Sequence, residues 1–299
     1  MPNVAVKELM EDAQKRHYAV GYFEGWDIES TLAVAKAAEN KRSPVIIGFS
    51  GIYLPGPQRV FKSDLKLFAD AAINIARNLS VPSATLFNES PFLESILESI
   101  ELGFDLVMYT DENISYEKQK ENIIKVVKKA HVKKVSVEAE IASLPGAGEL
   151  ILKKPDNFKF TQAGAAKKFA EETQIDLLAV NIGQAHLHGK QKVKLDMDKL
   201  KEIKKEIDIP LVLHGMSSVV EEDVKQVVKN GINKVNISSL LKQAYFESIK
   251  KDILKSNEDI NPYLVIGSGF KQDINTRACI KVQEEVERIM LLLGSAGKA

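Results

Sequence analysis

YAVGYFEGWDIES, residues 18–30, is an apolar run that passes into the helical pattern DIESTLAVAKAAEN (27–40) with a single glycine, Gly25, between them. An open, doubly wound sheet usually carries a glycine-rich phosphate turn after its first strand, and none stands here. The first strand-to-helix junction therefore argues for a different α/β architecture. The same unit recurs along the chain. Further apolar runs are PVIIGF (44–49), PSATLF (82–87), FDLVMY (104–109), KKVSVEA (133–139), DLLAVNI (176–182), PLVLHG (210–215) and KVNISS (234–239). Between them lie amphipathic segments with apolar residues at helical spacing and Gly or Asn stops, such as SPFLESILESIELG (90–103), YEKQKENIIKVVKKA (116–130) and DMDKLKEIKKEI (196–207). Strand then helix, eight times, predicts a closed parallel (β/α)8 barrel, a TIM barrel. Extra helices are expected at about 239–255 and 271–294, as candidate oligomer contacts. No Ser/Gly/Pro-rich linker divides the chain, so residues 1–299 read as one barrel domain.

Composition narrows the partners. Lys plus Arg and Asp plus Glu both number 41, so no global positive charge favours a nucleic acid or an anionic membrane, and a small molecule is expected instead. The single cysteine, Cys279, rules out an internal disulfide framework and fits a reducing compartment. The N-terminus lacks the long apolar core of a signal peptide, and no stretch reaches the length of a membrane span. A cytoplasmic location is expected.

In such a barrel the chemistry sits at the C-terminal ends of the strands. Those ends carry Glu24, Ser50, Asn88 with Glu89, Thr110 with Asp111, Glu138 with Glu140, Asn181 with His186, His214, and Asn236 with Ser238 and Ser239. Taken singly each is weak, since a lone histidine after a strand is more often a hydrogen-bonded structural residue. Two histidines and a carboxylate at three mouths of one barrel match the three-ligand set of a catalytic zinc site with an open position. His188 rivals His186, because HLH puts both on similar faces of an extended segment; His17 and His131 read as surface residues. HGKQKVK (188–194) is either a solvated loop or a place where Lys190 meets a phosphate together with Gly215, Ser217, Asn236 and Ser239.

RSPVII (42–47), SVEAE (136–140), LAVNIGQAH (178–186), PLVLHGMSS (210–218), GINKVNISS (231–239) and the late GSA (294–296) make the chain familiar. In this order and spacing they resemble the class II, metal-dependent fructose- and tagatose-bisphosphate aldolases over nearly the whole chain. The resemblance implies a barrel that binds zinc, or another divalent metal, and cleaves a ketose phosphate through an enediolate, usually as a homodimer or homotetramer. It implies His186 and His214 as metal ligands, and Ser50, Lys190, Gly215, Ser217, Asn236, Ser238 and Ser239 as substrate or phosphate contacts.

The reacting end departs from that pattern. Where the family has Asp followed by His, this chain has Asn88 followed by Glu89. Glu89 can stand as the third ligand, adding a negative charge that weakens the Lewis acid. Asn88 cannot carry a proton, because an amide does not titrate near neutral pH. Phe23-Glu24 stands for Phe-Asn, Thr110-Asp111-Glu112 for Asp-Gly-Ser, and Leu187 for a glycine. Glu24, Glu140 or a shifted Glu149 would have to move the proton. Three functions stay open: an aldolase-type lyase, an epimerase or isomerase using the same enediolate, and a non-catalytic barrel.

Overall fold

All eight apolar runs form strands: Val20–Gly25 (β1), Val45–Ser50 (β2), Ser83–Ser90 (β3), Leu106–Tyr109 (β4), Ser136–Glu140 (β5), Leu177–Ala179 (β6), Leu211–Leu213 (β7) and Ile232–Ile237 (β8). They close into one parallel barrel in sequence order, with β8 returning to β1 so that Tyr22 lies opposite Asn236. This computed structural model describes residues 4–141, 159–185, 192–254 and 261–299. Three polar ends expected after their strands lie inside them: Glu24 in β1, Ser50 in β2, and Asn88 with Glu89 in β3, which runs on to Ser90. The last two go together, because β2 pairs with β3 as far as Ser50 opposite Asn88.

Helices α2 (Ile28–Lys41), α3 (Leu65–Arg77), α4 (Leu93–Leu102), α5 (Tyr116–Val132), α6 (Ala163–Thr173), α7 (Met197–Glu206) and α8 (Glu221–Lys229) alternate with the strands. Several start on a side chain that satisfies an otherwise unpaired amide. Asp27 accepts from the Ser30 amide at 2.7 Å while the Ser30 hydroxyl accepts from the Asp27 amide at 3.1 Å, and Asp64, Ser115 and Asp196 cap α3, α5 and α7. After β8 come α9 (Ser239–Ile253), a short α10 (Pro262–Val265) and α11 (Ile274–Leu292). The buried stripe of α11, Val282, Val286, Ile289 and Met290, is used within the chain, where α11 packs against α2 and α9. None of the described helices is long and apolar enough to cross a membrane.

Strand alternation sorts the side chains into two cores. Outward residues such as Phe23, Ile47, Phe87, Val107, Val137 and Leu213 pack under the helices. Inward residues Val20, Tyr22, Ile46, Ala84, Leu86, Leu106, Met108, Leu177, Ala179 and Val212 fill the lumen, joined by Val6, Leu9, Met10 and Ala13 of α1 (Val6–Arg16), which stoppers the N-terminal mouth. Along the same inward parity toward the C-terminal mouth, the side chains turn polar: Glu24, Ser50, Asn88, Thr110, Glu138, Glu140, His214, Lys234 and Asn236. All but Asn236, which is half-buried, are buried there.

Gly48 is an inward position that tolerates no side chain, since a Cβ there would lie 1.8 Å from the backbone oxygen of Leu86 on β3. Backbone in a closed barrel cannot step aside cheaply. Gly48→Ala is expected to destabilise the fold by about 3 kcal/mol or more, read as a lowered urea midpoint.

Candidate active site

Glu24, Ser50, Asn88, Glu89, His214, Gly215, Ser217, Asn236, Ser238 and Ser239 line one cavity of about 250 Å³ at the C-terminal mouth. Of the other residues expected there, Glu140 is buried but does not line it, and instead accepts from the Thr110 hydroxyl at 2.9 Å. Asp111 accepts from the Asn113 amide at 3.0 Å and so closes a turn. Asn181 Oδ1 accepts from the Gly183 amide at 3.2 Å. His186, His188, Lys190 and Glu149 lie outside the described residues. His17 and His131 are exposed, as expected for surface residues.

The end of β3 is locally irregular. Glu89 has φ +51°, rare for a residue with a side chain, and pairing of β3 with β4 shifts register between Phe87 and Ser90. Simple alternation would send Asn88 inward and Glu89 outward. The left-handed residue breaks that alternation, and both side chains line the cavity. Such a conformation costs on the order of 1–3 kcal/mol and collects at functional sites.

His214 is fixed from both sides. Its Nδ1 lies 3.0 Å from Glu89 Oε1, and its Nε2 lies 2.8 Å from Glu138 Oε1 and 2.9 Å from Asn236 Nδ2. Burial disfavours the imidazolium, but Glu138 and Glu89 outweigh it and lift His214 to about 10. Asn88 Nδ2 donates to Glu89 Oε2 at 3.0 Å, so the amide steers the carboxylate. Below them Lys234, fully buried, donates to the other oxygen of Glu138 at 2.7 Å and also to Asn236 Oδ1. Burial pulls Lys234 below the ordinary lysine range. Burial would raise Glu138 too, but Lys234 and His214 hold it below the usual carboxylate range.

On the facing wall Glu24 Oε1 accepts from the Ser238 hydroxyl at 2.7 Å and from Lys242 Nζ at 2.9 Å. The other rim is backbone. Gly215, φ +67°, opens a 3-10 turn over Met216–Ser218, and α9 begins at Ser239, so both present amide groups to the cavity. Tyr22, Lys234 and Lys242 escaped the reading of strand ends. The signal was there: Tyr22 stands two residues before Glu24, and Lys234 two before Asn236, on the same inward parity.

The chain matches the class II fructose-bisphosphate aldolases over residues 4–298. The chain belongs to that family. It is 29% identical to sulfofructosephosphate aldolase of Alkalicoccus urumqiensis over all of this chain and 99% of the other. It is 31% identical to 6-phospho-5-dehydro-2-deoxy-D-gluconate aldolase of Bacillus licheniformis over all of this chain and 97% of the other. Among solved structures, the YdjI aldolase of Escherichia coli K12 superposes with a TM-score of 0.81 at 25% identity, covering 99% of each chain. Membership of this class II aldolase family supports aldol lyase activity on sugar phosphates.

The family is generally dependent on a divalent metal, and the cavity residues can be tested for fit. Among the described residues no group of three His, Cys, Asp or Glu side chains is placed to hold a metal ion. Two donors do meet: Glu89 Oε1 and His214 Nδ1, at 3.0 Å, are close to the roughly 3.3 Å that separates two ligand atoms on a tetrahedral zinc. The Nε2 contact with Glu138 is the outer-shell carboxylate that commonly orients a metal-binding histidine. The pair fits a metal, with the third place expected of His186.

Lys234→Met would leave Glu138 buried with His214 as its remaining cationic partner. The expected loss is about 3 kcal/mol, the lower end for a broken buried pair, and adding Glu138→Gln should recover at least half of it in urea unfolding.

Proposed function

We propose that the protein is a divalent-metal-dependent aldolase that reversibly cleaves a ketose phosphate through an enediolate. The single observation that carries this reading is the Glu89–His214–Glu138 chain, two ligand atoms facing each other with an orienting carboxylate behind one of them. Glu89, His214 and His186 would hold the cation, which when bound supplies Lewis-acid polarisation of the ketose carbonyl. The amides at Gly215 and at the start of α9, with the hydroxyls of Ser50, Ser217, Ser238 and Ser239, suit the phosphate.

Cleavage also needs a group that takes the proton from the hydroxyl at the breaking bond. Asn88 cannot, and Glu140 lies outside the cavity. Glu24 lines it and is held in place by Ser238 and Lys242. We assign it the base. The amide at position 88 favours one second reading, an epimerase that forms the same enediolate without breaking a carbon-carbon bond. Product analysis separates the two on a panel of ketose bisphosphates, extended to phosphoketoses ending in a sulfonate or a carboxylate because the named relatives act on such sugars.

In D₂O, metal-loaded protein is expected to exchange a hydroxymethyl proton of dihydroxyacetone phosphate, seen as a lost NMR signal. His214→Ala and Glu89→Ala should abolish the exchange and lower bound metal; full metal content in Glu89→Ala removes that residue from the site. Separately, Glu24→Gln should lower kcat for cleavage by about 10²- to 10⁴-fold with metal content unchanged.

A further inference from the structure

Of the buried side-chain polar atoms among the described residues, only the Tyr22 hydroxyl and Asn233 Oδ1 make no hydrogen bond of good distance and angle. Of those two residues only Tyr22 lines the active-site cavity. An unpaired buried hydroxyl costs about 1–3 kcal/mol, so a position that keeps one calls for a ligand that completes it.

Tyr22 rises from β1 into the lumen, 1% exposed, with the ammonium of Lys234 5.2 Å from the centre of its ring. Around it most donors face acceptors of the protein. Lys234 donates to Glu138 and Asn236, Lys242 and Ser238 donate to Glu24, and the Asn88 and Asn236 amides face Glu89, Asn88 and His214. The carboxylates Glu24, Glu89 and Glu138 only accept. An oxygen that gains negative charge at this end of the cavity therefore meets acceptors on most sides, and Tyr22 holds an O–H that lies beside Glu24 without a well-formed hydrogen bond.

We infer that the Tyr22 hydroxyl is a catalytic hydrogen-bond donor to a sugar oxygen at the reacting end of the substrate, where negative charge develops during bond cleavage. The inference rests on the aldolase reading. Burial, then the charges of Glu24, Glu89 and Glu138, and last a weak hydrogen-bonding contact with Glu24 push the phenol well above its ordinary range, so it remains a donor throughout the working pH range. In a water-excluded position the bond is stronger than it would be in solvent.

Tyr22→Phe removes the hydroxyl and nothing else. With metal-loaded wild type and variant side by side, the expected result is a kcat for ketose phosphate cleavage at least 10-fold lower in the variant, KM within threefold, and a thermal midpoint unchanged or higher. Equal kcat in the two proteins overturns the inference and leaves the hydroxyl as an unpaired group or the partner of a trapped water, while the aldolase reading stands. If wild type neither cleaves nor exchanges any ketose phosphate, the aldolase reading falls, and calorimetric binding of dihydroxyacetone phosphate decides Tyr22. A dissociation constant about 3- to 10-fold weaker in Tyr22→Phe supports the donor; an unchanged constant, or no binding to wild type, overturns it.

Discussion

Glu138 is fully buried at the centre of the barrel, and its two oxygens do two different jobs. One accepts from Lys234 on β8 and the other contacts His214 just past β7. A carboxylate above a lumen packed with Val, Ile, Leu, Met, Ala and Tyr side chains is costly unless both oxygens are satisfied. Meeting that requirement draws β5, β7 and β8 to one point and leaves His214 with a single usable direction, toward Glu89. The geometry of the reacting end is thus set from below, by an ion pair that does not line the cavity.

The second constraint is the end of β3. A regular strand would have spent Asn88 on the lumen and Glu89 on the helices. The left-handed backbone at Glu89 brings both to the cavity, and the Asn88 amide then aims the Glu89 carboxylate by donating to its second oxygen. An aspartate at 88 would be repelled by Glu89 at that distance, unless one of the two were protonated. Asn88 and Glu89 therefore belong together as a neutral donor beside a charged acceptor.

Most of the barrel was legible in the chain, because each strand is an apolar run of the right length ended by turn residues or a helix start, and parallel strands buried on both faces show that signal most strongly. The ends were less legible. Glu24 and Asn88–Ser90 are polar, so apolarity alone placed them outside the strands, whereas the ladder continues to them because neighbouring strands reach that far. Inward parity would also have found Tyr22 and Lys234; an eye on strand termini passed over both, since each lies one layer deeper. Glu140 has the right parity but turns to Thr110, a choice between neighbours that spacing along one strand does not encode. The positive φ at Glu89 has no marker in the sequence, since glycine is the usual sign of that backbone.

Charge ties the two ends of the cavity together. Among the described residues, Glu24, Glu89 and Glu138 face Lys234 and Lys242, an excess of one negative charge when His214 is neutral. A phosphorylated sugar brings further negative charge to a partly enclosed space, where Coulomb repulsion is several-fold stronger than in bulk water. Backbone amides at Gly215 and the start of α9 can offset the phosphate itself, but they carry no net charge to set against Glu89 and Glu24. The reacting end needs positive charge of its own, and the two places it can come from are a proton on His214 or a cation between His214 and Glu89. Those two alternatives compete for the same nitrogen, Nδ1, so the carboxylate that raises the affinity of His214 for a proton is also the group that would help a metal displace it.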